Sequence, residues 1–278
     1  MNVRSIALIT ELGLAVTRGK ITDRGDYLVV QTPDDPGYYY GNLLVLPAAP
    51  LAGEVAHWMQ RFADELGAPD IHHVTLWWDG ITGDEGPVDE LRAAGFTLET
   101  SQVMIADDVR GLDSPPSGEV RKLTPDEVLH SVELGWAIAD RHDDAYRTFL
   151  QRRVAWHRDL VVRGRATFWG AHDGDELVAS LGLVELGTLA RYQDVQTLPA
   201  YRRRGLATAL LAAAAREAFG ASNRDVATRI ERVVIIAEPG SNAARVYERA
   251  GFRAIERTTA ACRYPPGTLA TRASRSPA

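Results

Sequence analysis

The run Arg202-Arg203-Arg204-Gly205-Leu206-Ala207, with its flanks, constrains this chain more than any other stretch. Before it, Arg191-Tyr192-Gln193-Asp194-Val195-Gln196-Thr197 reads as a strand, and Leu198-Pro199-Ala200-Tyr201 is a short connection. After it, Leu206 to Phe219 is dense in Ala and Leu, which favour helix, and Gly220 stands where a helix stops. A strand therefore feeds a tight arginine–glycine loop that opens a helix. The first N–H groups of a helix have no intrahelical acceptor, and the helix dipole adds positive charge there, so the arrangement suits an anion. Gly205 lets the backbone approach a ligand with no side chain in the way. Ala207 keeps the first turn thin, and the arginines add forked donors that match phosphate oxygens. The plainer alternative is a basic surface loop before an ordinary helix, and a bare Arg-x-x-Gly-x-Ala does not separate the two.

A second segment does. Arg232-Val233-Val234-Ile235-Ile236-Ala237 is a continuous apolar, β-branched run and reads as a buried strand. Glu238-Pro239-Gly240-Ser241-Asn242-Ala243-Ala244-Arg245-Val246-Tyr247-Glu248-Arg249-Ala250-Gly251-Phe252 follows. Ser241 or Asn242 can cap a short helix there, and Gly251 ends it. The run from Val195 through Thr197, Pro199, Tyr201 and the arginines to Leu206, Ala207, Thr208 and Leu211 resembles the acetyl-CoA loop of the GCN5-related N-acetyltransferase (GNAT) superfamily. The second segment resembles that family's Asn-x-x-Ala…Tyr-x-x-x-Gly-Phe stretch. The two occur in the right order, one helix and one strand apart, and the resemblance covers roughly residues 118–264.

The resemblance implies an acetyl-CoA-dependent N-acetyltransferase that moves an acetyl group to a primary amine. The fold it implies is α/β (α+β), a central mixed, mostly antiparallel sheet flanked by helices. It places the CoA pyrophosphate on the loop and helix start: Arg202, Arg203, Arg204, Gly205, Leu206, Ala207 and Thr208. It places the pantetheine arm along Val195, Gln196 and Thr197, with the Val195 N–H donating to the thioester carbonyl. Tyr247 matches the tyrosine that protonates the departing thiolate, and Asn242 contacts the CoA arm. The alternative for Tyr247 is packing, and for Asn242 a helix cap, since its spacing to Tyr247 is shorter than the family's common form. Strict alternation puts Arg191, Gln193, Val195 and Thr197 on one strand face and Tyr192, Asp194 and Gln196 on the other.

No general base stands out. Some family members carry a glutamate four residues before the position of Val195, where this chain has Arg191. Asp194, Glu185 and Glu238 are candidates by neighbourhood, and a chain of waters serves as well. Three other functions remain open. One is transfer from another acyl-CoA, one a tandem enzyme of the mycothiol-synthase kind, and one a non-catalytic CoA-binding or sensing module. An intact Tyr247 favours an enzyme.

The chain of 278 residues is long enough for two modest domains. Ahead of the resemblance, Asp26 to Gln31 and Tyr39 to Leu46 read as strands. Leu51 to Leu66 is an amphipathic helix on Val55, Trp58, Met59, Phe62 and Leu66, and His73 to Trp78 a strand. Val88 to Ala94 is a short helix ending at Gly95-Phe96, and Thr97 to Ile105 a strand. This order, and the echo of Tyr247-Glu248-Arg249-Ala250-Gly251-Phe252 in Leu91-Arg92-Ala93-Ala94-Gly95-Phe96, suggests a diverged internal repeat. Leu46-Pro47-Ala48-Ala49-Pro50-Leu51 stands where the anion loop belongs, and its two prolines lack backbone donors. We therefore expect a degenerate GNAT-like domain at 1–110, a linker at 111–118, a catalytic domain at 119–264 and a disordered tail at 265–278.

Between linker and loop, Glu119 to Leu123 reads as a strand and Thr124-Pro125-Asp126-Glu127 as a helix start. Helices follow through Ile138 and from Ala145 to Val162. Thr167 to Ala171 and Leu177 to Glu185 are strands joined at Asp173-Gly174-Asp175. A net charge of −6 disfavours nucleic-acid binding and suits a cationic amine on a small molecule or peptide. His72-His73 has no third ligand at metal spacing, so no metal is expected. Trp77-Trp78, Trp156 and Trp169 have no basic groove beside them and read as core or cleft wall. The single cysteine, Cys262, excludes an intrachain disulfide and suits the cytoplasm. Ile6 to Val16 is too short to span a membrane. A monomer or homodimer is expected.

Overall fold

A computed structural model of the chain describes residues 1–107, 119–220 and 229–266. The linker read at 111–118 and the tail from 267 lie outside the described residues. In chain order the elements are α1 Ile6–Ala15, β1 Lys20–Asp23, β2 Leu28–Gln31, β3 Leu43–Leu46, α2 Val55–Leu66, β4 Val74–Trp78, α3 Val88–Ala93 and β5 Thr97–Ala106. Then come β6 Glu119–Lys122, α4 Pro125–Val128, α5 Ser131–Ala137, α6 Asp144–Val162, β7 Ala166–Asp173, β8 Glu176–Leu186 and β9 Leu189–Thr197. The last are α7 Leu206–Gly220, β10 Arg232–Ala237, α8 Asn242–Arg249 and β11 Arg253–Arg263. They form two compact units. The first is Met1–Val103 with the described residues from Glu256 onward, and the second is Met104–Ile255. The C-terminal strand, expected within 119–264, thus contributes its residues from Glu256 to the first unit.

In the first unit the strands run β1-β2-β3-β4-β11. All neighbours are antiparallel except β3 and β4, which are parallel and joined through α2. Leu44, Leu46, Leu76 and Trp78 form a core with Val55, Phe62 and Leu66 from one face of α2, and with Leu91 and Phe96. β1 was not legible: Lys-Ile-Thr-Asp has one apolar residue and pairs on one side only. Tyr39–Gly41, expected as strand, is a 3₁₀ turn. The Asn42 amide donates to the carbonyls of Asp35 (2.9 Å) and Tyr38 (3.0 Å) and accepts from the Thr32 N–H (3.0 Å). Those bonds tie the 32–42 loop back on itself, so the strand starts at Leu43.

The second unit has the order β10-β9-β8-β7-β6, antiparallel except for the parallel β9–β10 pair. Helices flank this sheet. Leu210, Leu211, Ala214, Ala215 and Ala218 bury one side of α7, and small residues let it lie close to the strands. The Tyr192 hydroxyl donates to the Leu211 carbonyl at 2.8 Å. α5 packs against β8 and β9, and α6 against β7. The start of α4 carries the expected signals: Pro125 in the first turn and a reciprocal Thr124–Glu127 capping box. The Arg121 guanidinium forks onto Glu127 at 2.6 and 3.0 Å and lowers its carboxyl to about 2.

The order β3–α2–β4–α3–β5 repeats as β9–α7–β10–α8–β11. The helix ends match bond for bond. Gly95 and Gly251 take φ of 86° and 92°, a region open to glycine. The Phe96 N–H reaches the Leu91 carbonyl and the Phe252 N–H the Tyr247 carbonyl, each at 3.0 Å. Leu91 therefore occupies in the first unit the position of Tyr247 in the second.

Candidate functional site

The site grows from an irregularity in β9. Opposite β8, Gln193 pairs with Gly182 and Gln196 with Ser180, so three steps of β9 face two of β8. The extra residue makes a β-bulge. Asp194 sits there with φ of 48°, outside the strand region. Strict alternation, expected along this strand, therefore fails. Ala190, Tyr192 and Val195 pack with the core that includes α7, and Gln196 lies on the α5 side, where its amide borders Gly135. The bulge moves Val195 from the face of Arg191 to the face of Tyr192.

A second irregularity adjoins it. β9 and β10 pair only over Leu189–Arg191 and Arg232–Val234. Beyond that, the facing edges of Tyr192–Thr197 and Ile235–Ala237 are not paired with each other. Two parallel strands whose ladder stops midway leave backbone donors and acceptors at their carboxyl ends, the end where open α/β sheets take ligands.

The arginine loop lies at that same end, between β9 and α7. Arg202 has φ of −64°, Arg203 64° and Gly205 79°. A left-handed arginine is costly for an L-residue and persists only where its surroundings enforce it. A Cβ at Gly205 would meet nothing within 4 Å, so the glycine serves its φ and the open space in front of it. Among the described residues no acceptor meets the N–H of Gly205, Leu206, Ala207 or Thr208. Arg202, Arg203 and Arg204 are exposed. Arg202 Nε donates to the Thr197 carbonyl at 3.3 Å, and Arg204 stacks over Tyr201 at 4.7 Å. Tyr201 is held by a 2.8 Å bond to Asp173. The loop thus offers unused amide donors, positive charge and no side chain at its centre.

Tyr247 is on α8, 3 % exposed, against Phe252 and the second unit's core. Burial raises its phenol above the ordinary value, which keeps the proton on at neutral pH. Among the described residues nothing hydrogen-bonds its hydroxyl. Ser241, not Asn242, caps α8: its side chain accepts from the Ala244 N–H at 3.1 Å. Asn242 is exposed in the first turn. Of the base candidates, Asp194 is buried in a two-pronged ion pair with Arg153 at 2.7 and 2.9 Å. Glu238 is exposed. Glu185 lines a cavity of about 500 Å³ with Lys122, Phe168 and Glu217. Arg191 is 1 % exposed within the sheet. Sequence reasoning did not find the Arg153–Asp194 pair, because the partners lie 41 positions apart and neither belongs to a motif.

The matching place in the first unit is already occupied by its own carboxylate. Glu90, on α3, accepts from the N–H groups of Gly53 (2.7 Å) and Val55 (3.1 Å) at the start of α2. Glu54 accepts from the Leu51 N–H at 2.9 Å. The N–H groups of Leu51, Gly53 and Val55 are thus met by carboxylates of the chain itself, and Pro47 and Pro50 supply no donor. His73 is buried, and desolvation lowers its pKa to about 4; Nε2 contacts the Asn42 carbonyl at 3.0 Å. A neutral imidazole bound to a backbone group is a core residue. Among the described residues no group of three metal-ligating side chains occurs.

The comparisons with known proteins concern the family match and the fold. Residues 164–254 match the family model for an acetyltransferase (GNAT) domain, which spans β7 through α8. No curated protein matches the chain. A functionally unknown conserved protein from Staphylococcus epidermidis superposes with a TM-score of 0.72 at 12 % identity, over 88 % of this chain and 94 % of its own. A GCN5-related N-acetyltransferase from Kribbella flavida gives 0.63 at 17 % identity, over 95 % of each chain. A tandem GNAT protein from the clavulanic acid biosynthesis pathway gives 0.54 at 14 %, over 92 % and 93 %. At these identities the superpositions speak to the fold, and they extend across both units. With the family model over the arginine loop, the bulged strand and the tyrosine helix, the chain carries an acetyltransferase domain of the GNAT family at residues 164–254.

Proposed function

We propose that the second unit is an acetyl-CoA-dependent N-acetyltransferase whose acceptor is a primary amine on a small molecule or peptide. The observation that carries this reading is a conjunction. The unused amides at the start of α7 lie at the same strand ends where β9 and β10 stop pairing. One ligand with an anionic head and an amide-bearing arm answers both. The amides of Gly205 to Thr208 and the Arg202–Arg204 side chains take the pyrophosphate. The free edge of β9 at Val195, Gln196 and Thr197 pairs with the arm. Asn242 has no cap to form and is left for a polar contact with it.

Acetyl-CoA supplies the activated acyl group as a thioester. The amine nitrogen bonds to the acyl carbon and the carbon–sulfur bond breaks. The Val195 N–H hydrogen-bonds the carbonyl oxygen as negative charge develops on it. Tyr247 Oη gives its proton to the sulfur. The amine's proton leaves to water, since Asp194 is committed to Arg153. The buried lone Cys262 takes no part, and it fits a cytoplasmic enzyme. Among the described residues no helix is long and apolar enough to cross a membrane. A panel of amines incubated with acetyl-CoA should give amine-dependent release of free thiol. Binding of CoA with no thiol released by any amine would favour a sensing module instead.

We read the first unit as a degenerate copy. Glu90 fills its anion position, Leu91 replaces the tyrosine, and Pro47 and Pro50 interrupt its loop. Calorimetry should therefore find one CoA per chain. Two equivalent sites would refute the degenerate copy.

A further inference from the structure

Arg153 and Asp194 make a buried ion pair with side-chain exposures of 7 % and 8 %. Arg153 Nη2 lies 2.7 Å from Oδ1 of Asp194, and Nε donates to Oδ2 at 2.9 Å. His157 Nδ1 is 3.5 Å from the same Oδ2, its ring 4.8 Å from that of Phe168. Buried pairs of this kind add little net stability, because desolvation of two charges offsets their attraction. Their best-attested use is to fix a geometry.

The geometry fixed here is the β9 bulge. Asp194 is its left-handed residue, with φ of 48°. Aspartate tolerates that region better than most side chains, yet such a conformation persists only where its surroundings enforce it. Arg153 comes from the middle of the 19-residue helix α6, which buries Tyr146, Leu150, Val154, His157 and Leu160 along with it. A packed helix holds the guanidinium, the guanidinium holds the carboxylate by two bonds, and the carboxylate holds the bulge residue. The next residue is Val195.

We infer that Arg153 is a positioning residue: by forking onto Asp194 it sets the β9 bulge and thereby the direction of the Val195 N–H. The consequence for turnover rests on the acetyl-CoA reading, in which that N–H meets the thioester carbonyl. The effect on the backbone does not.

Two variants test it. Arg153→Lys keeps the charge and loses the fork. The double variant Arg153→Met, Asp194→Asn removes both charges, leaves no lone buried ion, and keeps a residue that tolerates left-handed φ. Each is compared with the parent by the amide resonances of Val195 to Thr197 without ligand, by calorimetry with CoA, and by steady-state kinetics with an amine from the screen. We expect the Val195 and Gln196 amides to shift in both variants. CoA affinity should stay near the parent's, because the arginine loop is untouched. The kcat should fall by about 10²-fold, as a small misplacement of a reacting group can produce, with KM for acetyl-CoA little changed. Unmoved amides with parental kcat in a folded double variant would overturn the assignment, as would a loss of kcat that only tracks the unfolded fraction. If the parent binds no CoA, the acetyl-CoA reading fails by itself, and the ligand-free amides still decide for or against the clamp.

Discussion

Gly205→Glu is expected to abolish the thermal stabilisation that acetyl-CoA gives the parent. A ligand that binds only the folded state at about 100 times its dissociation constant adds about 2.7 kcal/mol, or several degrees in melting temperature for a unit of this size. In the acetyl-CoA reading the substitution puts a carboxylate in the place of the pyrophosphate, beside amide N–H groups that have no acceptor of their own. Strain has to be separated from charge. Gly205 has φ of 79°, so any side chain there costs about 1–2 kcal/mol of intrinsic stability. A Cβ meets no neighbour within 4 Å, so no clash adds to it. Gly205→Ala therefore serves as control: its ligand-free melting point should drop about as far, while part of the ligand-induced shift survives. Equal shifts for the glutamate variant and the parent would remove the loop from the cofactor site.

The features that sequence carried well are those whose causes are local. The α7 helix follows from an alanine–leucine run, the start of α4 from Thr124, Pro125 and Glu127, and the α8 stop from Gly251. Each is decided within a few residues by propensity, capping or backbone φ. The internal repeat was legible for the same reason, since a Gly-Phe helix end is a local device used twice. The arginine loop was legible because its donors and its charge lie in one short run.

What was not legible depends on partners far along the chain. The bulge in β9 is set by its pairing with β8 and by Arg153, and period-two alternation alone places Val195 on the wrong face. The Glu90 carboxylate fills the first unit's anion position from 35 and 37 residues away. The prolines at 47 and 50 told of missing donors, but not that the Gly53 and Val55 N–H groups meet Glu90. The C-terminal strand pairs with β4, where Thr75 donates to the Cys262 sulfur across 187 residues. An edge strand such as β1 shows neither alternation nor a second partner, and left no pattern to read.

Replacing Tyr247 by Phe is the substitution that separates an enzyme from a binding module. The ring is 3 % exposed and packs on Phe252 and the second unit's core, contacts that phenylalanine keeps. Among the described residues nothing bonds the hydroxyl, so its loss leaves no buried partner unsatisfied and the fold should be unaffected. Burial raises the phenol above its ordinary value. The sign follows: the group keeps its proton at every pH below that raised value, so it is a competent donor at neutral pH, and any fall of kcat below pH 10 has another origin. Positioned acid catalysis contributes about 10²–10⁴-fold, so Tyr247→Phe should lower kcat by that order while the dissociation constant for CoA stays nearly constant. A hydroxyl that served binding alone would raise KM and spare kcat. Full turnover by the Phe variant at saturating acetyl-CoA, with chemistry shown to limit the rate, would exclude Tyr247 as the acid and leave water to protonate the sulfur.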